Sequence, residues 1–130
     1  MSTDAHAEAI KAFLATATKA PVYDFDEANA LAPTALPPAF TIVHLERRYS
    51  DDAARMDGTK PTPLRRLYTR AAAKSVTNVR LIEDRTADAF EFATVNLGDT
   101  ITHFAFETGG GSFEQSEGYY VRTTSWTYAV

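Results

Sequence analysis

The stretch Gly118-Tyr119-Tyr120-Val121-Arg122-Thr123-Thr124-Ser125-Trp126-Thr127-Tyr128-Ala129-Val130 sets the fold class. It is rich in aromatic and β-branched residues, which suit a pleated, half-buried surface. Side chains alternate along a strand, so Tyr120, Arg122, Thr124, Trp126, Tyr128 and Val130 share one face. Val121, Thr123, Ser125, Thr127 and Ala129 share the other. The bulkier face predicts core positions for Trp126 and Tyr128.

Upstream, residues 101–107 alternate Thr102, Phe104 and Phe106 against Ile101, His103 and Ala105, which predicts another strand. Gly109-Gly110-Gly111 then reads as a loop tip, because glycine supplies the positive φ that tight turns need. Residues 75–93 read as a helix with Ser75 as N-cap. Val76, Val79, Ile82, Ala89, Phe90 and Ala93 fall on its inner face. Leu81 and Phe92 project from the opposite side, beside Asp84, Arg85 and Asp88, and point to a partner.

Residues 64–72 form a strand in which Leu67, Thr69 and Ala71 alternate with Tyr68 and Arg70. Residues 39–49 form another, apolar on both faces near its start, as in a central strand. Between them, residues 50–63 are polar, with Asp57-Gly58, Pro61 and Pro63, and read as a long exposed loop. Near the start, Ile10, Phe13, Leu14 and Ala17 make one helical stripe over residues 4–18, which Pro21 ends. Val22–Phe25 suits a short extended piece, followed by a proline-rich connector. The expected fold is one α+β domain over residues 1–130. Its single-layer mixed or antiparallel sheet of about four to five strands packs against two helices.

The chain has 130 residues, enough for one core and too few for two ordinary domains. It contains no cysteine, which excludes disulfides, thiolate zinc sites and cysteine nucleophiles. A net charge of −4 argues against a protein that grips nucleic acid, though not against one that surrounds it. The first residues show no basic region followed by an apolar run, so no signal peptide is expected. No apolar run approaches the ~20 residues a membrane helix needs.

Chemical motifs are missing from the pattern. His6, His44 and His103 have no ligand neighbours at metal-site spacing. Gly-x-Ser-x-Gly is absent. Ser112-Phe113-Glu114 follows the glycine run, where a phosphate loop needs Lys then Ser or Thr. Asp24-x-Asp26 begins like a calcium loop, but Ala35 stands where the twelfth-position Glu belongs. The expectation is therefore no catalytic residue, no metal and no cofactor. The candidate contact residues are Arg47 and Arg48, then Asp51, Asp52, Arg55 and Met56 in the loop, then Arg65 and Arg66, with Leu81 and Phe92 on the helix.

Leu67-Tyr68-Thr69-Arg70-Ala71 before a Ser75-capped helix, together with the closing Ser125-Trp126-Thr127-Tyr128 strand, resembles the tail-terminator (tail-completion) proteins of long-tailed phages. The resemblance covers about half the chain, residues 64–130, and residues 21–63 carry no matching motif. It implies a non-enzymatic ring, usually a hexamer, at the head-proximal end of the tail tube. Such a ring ends tube growth and joins the tail to a head-closure or connector protein, and DNA passes through it. The implied location is the virion, after assembly in the host cytoplasm. Another head–tail neck subunit is the near alternative. An α+β domain with a curved sheet that binds or converts a small molecule is the distant one, its pocket lined by Tyr68, His103, Tyr120 and Trp126.

Overall fold

The computed structural model describes residues 3–25, 36–48 and 64–129. In chain order the elements are α1 (Thr3–Thr18), β1 (Val22–Asp24), β2 (Ala39–Arg48), β3 (Leu64–Ala73), α2 (Val76–Phe92), β4 (Val95–Asn96), β5 (Ile101–Thr102), β6 (Ala105–Thr108), β7 (Glu114–Ser116) and β8 (Tyr119–Ala129). The main sheet runs β1-β2-β3-β8-β6, and β7 also pairs with β8. β1 is parallel to β2 and the other pairs are antiparallel. The fold is thus α+β, with six strands in the main sheet and two more in a small second one among the described residues.

The extra strands come from the stretch after α2. The single strand expected over residues 101–107 is broken. Ile101–Thr102 pairs with β4, whereas Ala105–Thr108 pairs with β8. Phe104, between them, is buried, 4.5 Å from the ring of Phe90 and 4.7 Å from that of Tyr128. Driving that ring into the core takes the backbone out of one sheet and into the other. The glycine run then splits the far edge of β8 between β6 and β7. Gly109 packs so close to Thr124 and Phe106 that an added Cβ would meet Thr124 Cγ2 at 3.0 Å. β7 returns to β8 through Glu117-Gly118, both at positive φ, as a tight two-residue hairpin requires.

Both helices cover one face of the sheet. Ile10 and Leu14 of α1 and Phe90 of α2 pack with Val43, Leu67, Trp126 and Tyr128. Further along α2, Val79 and Ile82 pack on Ala71 and Ala73, whose small side chains let the helix come close. Ser75 caps α2 by accepting from the Asn78 N–H at 3.2 Å. On the opposite face, Phe40, Ala72, Tyr119 and Val121 form a second cluster with Leu36 against it. The Tyr119 hydroxyl donates to the Pro37 carbonyl at 2.8 Å.

Candidate subunit-contact surfaces

The strand period separates the two adjacent arginines at the start of β3. Arg65 turns to the helix side with Leu67 and Thr69. Its side chain is only 7% exposed, and Nη1 lies 2.7 Å from Nδ1 of His6. The hydroxyl of Tyr128 lies 3.0 Å from the same nitrogen, and Nε2 of His6 is 2.8 Å from Oδ1 of Asp99. A guanidinium can only donate, so Nδ1 accepts and Nε2 carries the proton that is given to Asp99. The β4–β5 hairpin places Asp99 there. The Leu97 N–H donates to the Thr100 carbonyl at 2.8 Å, and Gly98 takes φ 102°. The hydrogen bond from His6 holds the Asp99 carboxyl below its ordinary range. Burial pushes the Tyr128 hydroxyl up. This cluster ties α1, β3, β8 and the hairpin together, and it buries Arg65 inside the domain. Arg65 is therefore corrected from a contact residue to an internal one.

Arg66 takes the opposite face. Its Nε lies 2.6 Å from Oε1 of Glu107, and Nη1 lies 3.7 Å from Glu46. The Glu107 hydrogen bond, with a smaller one from Tyr68, raises the Arg66 pKa. Ser125 donates to the same oxygen of that carboxylate, Oε1, at 3.1 Å. Arg70 pairs with Glu114 at 2.9 Å. On the helix side, Arg122 is bidentate to Glu83 at 2.6 and 2.9 Å, which raises its pKa. The arginines of β3 and β8 are thus bound within the domain by carboxylates or, for Arg65, by His6.

Arg47 and Arg48 occupy the last two positions of β2, in register with Arg65 and Leu64. Their side chains, and all of Asp51, Asp52, Arg55 and Met56, lie outside the described residues. Leu81 and Phe92 stand on the outer face of α2 and are 43% and 79% exposed. Phe106, 62% exposed at the sheet edge, was not singled out from the sequence. It sits edge-on to Trp126 beside an open groove of about 480 Å³ between α2 and the glycine run. It lies opposite Trp126 in the β6–β8 register, and its place at the sheet edge leaves it exposed.

The residues of the imagined small-molecule pocket are not brought together. Trp126 and Tyr120 face the helices, Tyr68 stacks on His44 across the sheet, and His103 donates to the Glu91 carbonyl at the end of α2. Among the described residues, no group of three or more His, Cys, Asp or Glu side chains is placed to hold a metal ion. No described helix is long and apolar enough to cross a membrane.

No protein-family model and no curated protein matches the chain. Among solved structures, the fold is similar to a chain of the virion of a native gene transfer agent (GTA) particle. The TM-score is 0.64 at 14% identity, over 98% of this chain and 92% of that one. At that identity the likeness is one of fold.

Proposed function

We propose that this protein is a non-enzymatic virion subunit. It forms a ring, as a hexamer, at the head-proximal end of a phage tail tube, where it ends tube growth and joins tail to head. The observation that carries this reading is the near end-to-end likeness to a chain from a virion particle. The tail-terminator resemblance of residues 64–130 supplies the finer placement. The internal pairing of Arg66, Arg70 and Arg122 supports a wall that DNA passes without being gripped. A ring needs two different patches that meet head to tail and close. The outer face of α2, with Leu81 and Phe92, is one such patch. Arg47, Arg48 and the 50–63 segment belong to the other. The partners are further copies of this chain, the tail-tube protein and a head-closure or connector protein.

Light scattering after size exclusion, over a range of concentrations, tests self-association, and electron microscopy with purified tail tubes tests placement. A ring seated on tube ends is the expected result. A strict monomer that leaves tube ends bare overturns the proposal. A ring that binds the head connector but not tubes moves the protein to another neck position, which the fold likeness supports equally.

A further inference from the structure

The layer between α2 and the sheet is not wholly apolar. Thr41, Thr69 and Thr86, all buried, line a small cavity of about 10 Å³ with Ala71, Ile82 and Trp126. The hydrogen bonds around it have a direction. The indole N–H of Trp126 donates to Thr69 Oγ1 at 3.1 Å, which leaves the Thr69 proton to find an acceptor. Thr86 gives its proton to the Ile82 carbonyl at 2.9 Å, which leaves its lone pairs to find a donor. Thr41 Oγ1 is buried without a hydrogen-bond partner among the described residues. Buried hydroxyls are seldom left so, because the lost solvation is not recovered.

We propose that the cavity is a binding site for one structural water. It accepts from the hydroxyls of Thr41 and Thr69 and donates to Thr86 Oγ1. Three such bonds are typical of a buried water, and the cavity is at the lower limit of the space one needs. The water completes a chain from the Trp126 N–H to the Ile82 carbonyl and joins β2, β3, β8 and α2 at one point. Glu83, Thr124 and Trp126 line both this cavity and the open groove beside α2, so the two adjoin.

The test is a crystal structure at a resolution that shows ordered water, paired with thermal denaturation of Thr41→Val. The expected map has one density peak within hydrogen-bond distance of the three hydroxyls. Thr41→Val is expected to lower Tm by a few degrees, because it strips the water of a partner. A map with no density among the three hydroxyls overturns the proposal. So does a Thr41→Val protein that melts higher, since removing an unpartnered hydroxyl from a dry cavity should stabilise the fold. Both readouts are independent of ring formation.

Discussion

Nη1 of Arg65 faces Nδ1 of His6 across 2.7 Å, although the two residues lie 59 positions apart. This contact makes His6 an acceptor on one side and a donor to Asp99 on the other. Removing either partner strands the rest of a buried polar cluster. His6→Leu and Arg65→Met should each destabilise the fold by about 1–3 kcal/mol for each group left unpaired. Urea denaturation measures this. A change below about 0.5 kcal/mol would show that the cluster contributes nothing to stability.

Asp99 supplies a pH dependence with a definite sign. Its carboxyl is held below the ordinary range by the His6 hydrogen bond. A depressed carboxyl gives stability that is present above its unfolded pKa of about 3.9 and is lost as pH falls through the folded value. Tm should therefore fall on acidification below about pH 4, and Asp99→Asn should flatten that fall. An unchanged acid limb in the variant would contradict this.

Phe90 is the hub of the aromatic core. Its ring lies 4.5 Å from Phe104, 4.9 Å from Trp126 and 5.8 Å from Phe13. Phe90→Ala should cost about 3–5 kcal/mol, by lost transfer energy plus the cavity left behind. Phe92→Ala, two residues on but exposed, should cost less than about 0.5 kcal/mol. Denaturation of the two side by side checks the contrast.

The outer face of α2 gives the assembly prediction. Leu81→Asp and Phe92→Asp should leave the Tm within a few degrees of the parent and weaken association at least tenfold, read by light scattering against concentration. Undiminished self-association in the double variant would remove this face from the interface.

The long elements were legible because their patterns are local. The 3.6-residue stripe of Ile10 and Leu14, the Ser75 cap with Val79 and Ile82, and the two-residue alternation of β3 and β8 each declare themselves within one window. Of the short strands, β1 was legible as the extended piece at Val22–Phe25 and β5 and β6 only as one run, whereas β4 and β7 were not, because strands of two or three residues owe their pairing to distant partners. The internal place of Arg65 was within reach, since it has the same parity as Leu67 and Thr69. The His6 cluster was not, because its members are drawn from positions 6, 65, 99 and 128. Contact surfaces leave the weakest trace of all. Leu81 and Phe92, the two proposed contacts, stand out only as apolar residues on the exposed side of a helix.

The ladder around β8 has a mechanical consequence. The strand is held on one side by ten residue pairs with β3 and on the other by β6 and β7 in succession. Antiparallel hydrogen bonds lie across the strand axis. A pull along that axis strains them together in shear, and none can open ahead of its neighbours as in a zipper. Tension applied along β8 therefore loads the rungs together, whereas a pull across the sheet would peel it rung by rung.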